Sequence, residues 1–409
     1  MLVGLLLKRL MKRGTLRLID SRGKLHVFAG EPGKTATIRL HDRRLERQMF
    51  WNPRLHVGEG YMDGRLTLEE GTTIREFIDL VGLNIHLIDR TPLVRFCQWV
   101  GRMWRPVMQH NPIGRAQKND AHHYDLSDEL FDLYLDSDRQ YSCGYFSTPN
   151  SSLEQAQIDK KRHLASKLHL EPGCKLLDIG SGWGGLGLYI AKESGADVTG
   201  VTLSVEQQKV SSDRAKKEGL SESVRFRLLD YREETGPYDR IVSVGMFEHV
   251  GVKHYREFFE KVRDLLTEDG VALIHFIARW DGPSVTNPWL RKYIFPGGYC
   301  PSLSEVFAPL EETGLKLADM EVLRLHYAET LEHWSRNFQA NRAKVNEIYD
   351  ERFCRMWEFY LAGSEAAFRR QDHMIVQMQL CRDQEAVPLT RDYMYEWEHA
   401  HWTEGATNA

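Results

Sequence analysis

Between Lys175 and Ala278 the chain alternates short apolar runs with longer amphipathic stretches. Leu176 and Leu177 open a run that ends in Asp178-Ile179 and a cluster of glycines, and the spacing then predicts a helix over 184–194. DVTGVTL (197–203) predicts a second strand before a helix over 204–219, and VRFRLLD (224–230) a third strand before a turn. DRIVSVG (239–245) is a fourth strand, followed by a helix over 254–266 with Phe258, Phe259, Val262, Leu265 and Leu266 on one face. VALIHFIA (271–278) is the fifth. Strands and helices in this order build a parallel sheet covered by helices on both faces, so an α/β, Rossmann-like fold is expected.

The flanks read differently. Alternation in TLRLID (15–20), KLHVFAG (24–30) and ATIRL (36–40) predicts short strands, GEGYMDGRLTLEEG (58–71) reads as turns, and 74–83 as a helix. Residues 1–90 are therefore expected to form a small α+β accessory domain, with 91–118 as a linker carrying Trp99, Trp104, Pro106 and Pro112. The catalytic domain is expected over 119–395, starting with a helix through Leu126, Leu130, Phe131, Tyr134 and Leu135, and 396–409 is a tail. Within 281–309 the prolines at 283, 288, 296, 301 and 309 mark an insertion rather than another plain βα unit. Residues 330–375 read as helical, and their large apolar side chains as core packing, with some lining a pocket for a long apolar substrate.

Composition adds two constraints. The 409 residues have an ordinary globular balance, enough for two or three domains, and the six cysteines contain no CxxC pair. Reduced thiols in a cytoplasmic protein are expected, with no bound metal. No apolar run approaches the roughly 18 residues needed to cross a bilayer, and MLVGLLLKRLMKRG lacks the order of a signal peptide. The net charge of −4 hides an asymmetry, because residues 1–50 hold twelve Lys or Arg against Asp20, Glu31, Asp42 and Glu46. Beside the amphipathic start (Leu2, Leu5, Leu6, Leu7, Leu10, Met11), this excess suits an anionic membrane surface. Nothing in 1–110 resembles a nucleic-acid module, so no nucleic-acid partner is expected.

The glycine loop carries the first chemistry. Glycines at 180, 182, 184, 185 and 187, between a strand and a helix, let the backbone pass close beneath a ligand that the helix N–H groups face. Gly180-x-Gly182-x-x-Gly185 satisfies the dinucleotide fingerprint literally. A dinucleotide site, however, uses an acid about 20 residues past the glycines. Here the second strand ends in Thr202-Leu203-Ser204, with no acid before Glu206. Asp178, just before the glycines, and Asp230, beside Tyr231 after the third strand, suit S-adenosylmethionine instead.

Seven motifs then occur in order: QYSCGYF (140–146), LDIGSGWGGL (177–186), GVTLSVEQQ (200–208), SVGMFEHVG (243–251), HFIA (275–278), KYIFPGG (292–298) and HYAETL (326–331). Over roughly residues 115–395 they resemble the cyclopropane-fatty-acyl-phospholipid synthases and the related mycolic acid methyltransferases. The N-terminal domain resembles the accessory domain of the bacterial phospholipid enzymes. The resemblance implies an S-adenosylmethionine-dependent C-methyltransferase fold and activity. The sulfonium methyl goes to a cis double bond of an unsaturated phospholipid acyl chain, and a cyclopropane ring closes after loss of a proton. It further implies a bicarbonate ion held by Cys143, Glu248, His275, the backbone of Ile277 and Tyr327. The cofactor-binding set it implies is Tyr141, Ser142, Asp178, Gly180, Gly182, Gly184, Thr202, Leu203, Gln207, Asp230 and Tyr231. Phe247 and Tyr299 are tunnel candidates, and His249 is either a base or a structural residue. A homodimer peripherally associated with the inner membrane completes the expectation.

Three positions depart from the family pattern. Ser181 stands where many relatives have Cys, and either suits a tight loop. Ser364 stands where some have a late cysteine, so no nucleophilic role is carried over to it. HFIA replaces the commoner HTIG beside Ile277. Two alternatives follow: the same site giving a methyl-branched or methylene product, and a non-catalytic lipid-binding protein on the same scaffold. An NAD-dependent oxidoreductase rests on the glycine fingerprint alone.

Overall fold

The computed structural model describes residues 2–89 and 127–402. The expected linker 91–118 and the end of the tail lie outside the described residues. The contacts divide the chain into two units, and each is discontinuous in sequence.

The first unit gathers the N-terminal residues with Ser284–Pro296 and Ala328–His373. Its sheet has the order β2-β1-β3-β4, from β1 (Arg13–Ile19), β2 (Leu25–Ala29), β3 (Glu31–Leu40) and β4 (Leu66–Glu69). β1 and β3 run parallel, while β2 and β4 are antiparallel to their neighbours. Period-two alternation puts Leu16 and Leu18 of β1, and Ile38 and Leu40 of β3, into one core. Phe77, Ile78, Ala362 and Ala366 join that core from helices Ile74–Asp89 and Glu351–Arg370. The stretch read as turns, 58–71, is a correction: it holds the end of helix Pro53–Met62, with proline at the first turn, and β4. Gly58 sits within this helix, where a Cβ would lie 2.5 Å from Trp289 Nε1 and 2.9 Å from Phe359. Close packing, not a turn, requires that glycine. The helical stretch 330–375 resolves into His326–Ala340, Arg342–Ile348 and Glu351–Arg370, and ends at a strand. Trp334, Phe338 and Trp357 are wholly buried there.

The second unit carries a seven-stranded sheet in the order β10-β11-β9-β8-β5-β6-β7. Its strands are β5 (Lys175–Ile179), β6 (Asp197–Thr202), β7 (Val224–Leu228), β8 (Tyr238–Val244), β9 (Leu266–Arg279), β10 (Lys316–Leu323) and β11 (His373–Cys381). β5 to β9 are parallel and β10 pairs antiparallel with β11. Helix Tyr255–Leu265 packs Phe258, Phe259 and Val262 on one face of the sheet, and helix Gly185–Ser194 packs Leu188 and Ile190 on the other. The helix expected through Leu126–Leu135 is a single turn, Asp128–Asp132, N-capped by Ser127. Strand order reverses between β6 and β8 on either side of β5, which opens a crevice at the carboxyl ends of these strands.

Candidate active site

The glycine loop turns because Gly180, Gly182 and Gly184 hold φ of 82°, 54° and 84°, which side chains rarely adopt. The N–H groups of Gly180 and Ser181 donate to the Val201 carbonyl at 2.9 and 3.0 Å, pinning the loop to β6. In the crevice, Gly180, Gly182, Thr202, Leu203, Gln207, Asp230 and Tyr231 line one cavity, together with Met246, His249 and His254. Thr202 Oγ1 donates to Gln207 Oε1 at 2.8 Å, which leaves the Gln207 amide NH₂ for a ligand. Ser204, the residue after the acid-free strand end, N-caps helix Val205–Lys217. Both carboxylate oxygens of Asp230 accept from Arg232, at 2.6 to 3.0 Å. Its side chain thus shapes the 229–232 loop.

The other four expected cofactor residues, Tyr141, Ser142, Asp178 and Gly184, are not among the residues that line this cavity. The strap Tyr141–Phe146 is held from below by helix Leu153–Ser166. Gln157 Nε2 donates to the Gln140 and Ser142 carbonyls at 3.2 and 3.0 Å, and Lys160 Nζ donates to Gln140 Oε1 and Ser142 Oγ at 2.5 and 2.8 Å. Tyr141 packs edge-on against Phe131 and Tyr134. Gln140 also presses on the glycine loop, since a Cβ on Gly185 would meet its Nε2 at 2.4 Å. Lys160 is 1% exposed, and burial draws its ammonium down to about 8 against the opposing pull of Asp136 and Asp138. Asp178 is wholly buried at the end of β5, and its Oδ2 has no hydrogen-bond partner among the described residues. Burial pushes its carboxyl up to about 7, with Lys160 opposing.

Glu248 follows β8 in a short 3₁₀ turn and is buried. Its Oε1 accepts the Ile277 N–H at 2.7 Å, and the Tyr299 N–H donates to its carbonyl at 2.9 Å. Its Oε2 is buried with no hydrogen-bond partner among the described residues. Burial raises its pKa, and the Ile277 N–H works against that rise. His275, two residues before Ile277 on β9, accepts the Gly245 N–H on its carbonyl at 2.9 Å, which sets it beside the wall of the crevice. Burial, with Lys160, Lys167 and His163 adding to it, lowers its imidazole pKa to about 3. The ring is neutral at physiological pH.

Cys143 is buried in the strap, where its S–H donates to the Gly144 carbonyl. Tyr327 is half-buried in the first turn of helix His326–Ala340. The preceding His326 takes the Phe146 N–H on Nδ1 at 3.0 Å, so the strap that carries Cys143 is tied to the turn that carries Tyr327. Phe247 belongs to the core, stacked on Tyr255 and packed against Phe258 and Phe276. Tyr299 donates its hydroxyl to Glu305 at 2.7 Å and braces Glu248 through its backbone. Sequence reasoning missed Gln157, Lys160, Lys167 and Gln377. Their only signal is polar side chains at positions where a buried helix or strand should be apolar.

A parallel sheet with a glycine loop after its first strand, an acid just before that loop and an acid-free second strand end define an S-adenosylmethionine-dependent methyltransferase. The crystal structure of a mycolic acid cyclopropane synthase, CmaA1, complexed with SAH and CTAB agrees at a TM-score of 0.62 with 32% identity, covering 66% of this chain and 99% of that one. Residues 113–378 match the family model for mycolic acid cyclopropane synthetase, and the chain belongs to that family. A probable fatty acid methyltransferase of Pseudomonas putida is 42% identical over 89% of this chain and 92% of its own length. The cyclopropane-fatty-acyl-phospholipid synthase of Escherichia coli K12 is 41% identical over 88% and 91%. The enzyme uses S-adenosylmethionine to modify lipid.

Proposed function

We propose that this enzyme methylenates the cis double bond of unsaturated acyl chains in membrane phospholipids. The sulfonium methyl joins one alkene carbon, a proton leaves that former methyl group, and the ring closes on the other carbon. Bicarbonate, when bound, supplies the base for that proton. The observation that carries the reading is Glu248, whose Oε2 is buried and lacks a hydrogen-bond partner among the described residues, while its Oε1 accepts from Ile277, two residues after the neutral His275. With its pKa raised by burial, Glu248 in its protonated form offers an O–H toward an anion, where a carboxylate would repel one. The residues therefore fit the ion, with one change from the expected set. The Ile277 N–H is already engaged by Glu248, so Ile277 acts by orienting that carboxyl. Tyr327 and the Cys143 segment would complete the anion site.

The test is incubation with S-adenosylmethionine and vesicles of an unsaturated phosphatidylethanolamine, followed by NMR of the product. Cyclopropane ring protons support the reading, and their absence from a product 14 mass units heavier refutes it. A methyl-branched product is the second reading, favoured by the identity to the Pseudomonas fatty acid methyltransferase. Depleting and restoring bicarbonate in the same assay tests the base.

The N-terminal segment supports a further part of the proposal, docking on the anionic cytoplasmic face of the inner membrane as a homodimer. Helix Leu2–Leu10 ends in Lys8 and Arg9, and Leu5 is 66% exposed. Among the described residues no helix is long and apolar enough to cross a membrane. Co-sedimentation of the full chain with phosphatidylglycerol vesicles should fall in the Lys8→Glu/Arg9→Glu double variant. Undiminished binding would refute docking through this helix.

A further inference from the structure

Gln377 lies on β11, 1% exposed, between Lys167 and His275. The two ends of its amide differ in chemistry, and the neighbours decide which end faces which. Lys167 Nζ lies 2.6 Å from Oε1, and an ammonium only donates. The oxygen is therefore held toward Lys167 and the amide nitrogen toward His275 Nδ1, at 3.2 Å. An amide N–H also only donates, so Nδ1 must carry the lone pair. A neutral imidazole with a bare Nδ1 has its proton on Nε2.

Lys167 is fixed in turn. It is 3% exposed and pairs with Glu321 on β10, which also accepts from His163 Nε2 at 2.6 Å, while Glu398 holds the other ring nitrogen. Turning the Gln377 amide over would set its NH₂ against the ammonium and its oxygen against Nδ1. The charged groups that act on His275 are Lys160 and His163 from helix Leu153–Ser166, Lys167 just after that helix, and Glu321 from β10. Of these only Glu321 favours protonation.

We propose that Gln377, oriented by Lys167, is a positioning residue that fixes the tautomer of His275 and so presents an Nε2–H donor to the anion site. That the recipient is an anion rests on the proposed function; the tautomer does not. A ring held the other way would turn a lone pair toward the anion and repel it.

The test is a two-bond ¹H–¹⁵N correlation spectrum of the full chain labelled with ¹⁵N-histidine, with His275→Gln assigning the resonance. Wild type should show the Nε2–H form from pH 6 to 8. Gln377→Glu places an acceptor at Nδ1 and should switch the ring to the Nδ1–H form. Gln377→Met should give a mixture. An Nδ1–H ring in wild type, or an unchanged Nε2–H ring in Gln377→Glu, overturns the proposal. In turnover, Gln377→Glu should lose about 100-fold in kcat with little change in KM for S-adenosylmethionine. SAH binding by calorimetry confirms that each variant is folded. If wild type makes no product while the ring switches as stated, the functional reading fails and the tautomer assignment stands.

Discussion

Asp178 should make the enzyme lose stability as pH rises from mildly acidic to neutral, and replacing it with asparagine should remove that liability. The carboxyl is buried with Oδ2 unpaired, and its pKa rises from an ordinary 3.8 to about 7. Between those values the native state holds a proton that the unfolded chain has released, so stability falls as pH rises through the interval. At roughly 1.36 kcal/mol per unit, the whole interval is worth about 4 kcal/mol, and the part above pH 5 about 3 kcal/mol. Asp178→Asn abolishes this term. Its amide leaves an unpaired N–H that costs about 1–3 kcal/mol at every pH. Urea unfolding followed by tryptophan fluorescence, at pH 5 and pH 8, isolates the difference. Wild type should lose about 3 kcal/mol more than the variant between the two, since all other titrations are shared. Parallel pH responses would refute the reasoning and mean that Asp178 titrates as an ordinary carboxylate.

Other outcomes follow from the same geometry. Gly184→Ala combines a φ of 84° with a Cβ 2.6 Å from Phe226 and 2.8 Å from Ser211, so urea unfolding should show a loss of about 2–5 kcal/mol. Lys160→Met removes the ammonium that ties Gln140 and Ser142 together, and calorimetry should find SAH bound roughly 10- to 100-fold more weakly. Glu248→Met, which removes both the acceptor for Ile277 and the O–H donor, should bind SAH nearly as wild type does, yet lose about 100-fold or more in single-turnover product formation.

The five parallel strands were legible because each is a short apolar run bounded by turn residues, and every predicted helix between them ends within two residues of its expected position. Helix Leu153–Ser166 was not legible, because it buries Gln157, Asp159, Lys160, Lys161, Arg162 and His163 and so has no apolar stripe. Its side chains serve the strap and the charge balance of the site, and that use overrides the helical period. Helix Pro53–Met62 was hidden by glycines that signal turns in isolation, whereas Gly58 and Gly60 are small to admit Trp289 and Leu45. The loop glycines and Glu248 were legible from motif order. The route by which Lys167 reaches His275 crosses from a helix end to β11, over 210 residues of sequence, and no local pattern encodes it.

The discontinuity of the first unit bears on how the chain is made. Strands β1 to β4 leave the ribosome early, but Ala362 and Ala366, which complete their core, come some 290 residues later. At about 5–20 residues per second that interval is roughly 15–60 s, during which helix Ile74–Asp89, which covers the sheet, lacks the later helix that packs against it. Part of the apolar surface of the first unit thus stays unpartnered until late in synthesis. Removing residues 1–90 would strand the same two alanines without their partners, so the N-terminal strands and helix Glu351–Arg370 must be exchanged together when parts are swapped between relatives.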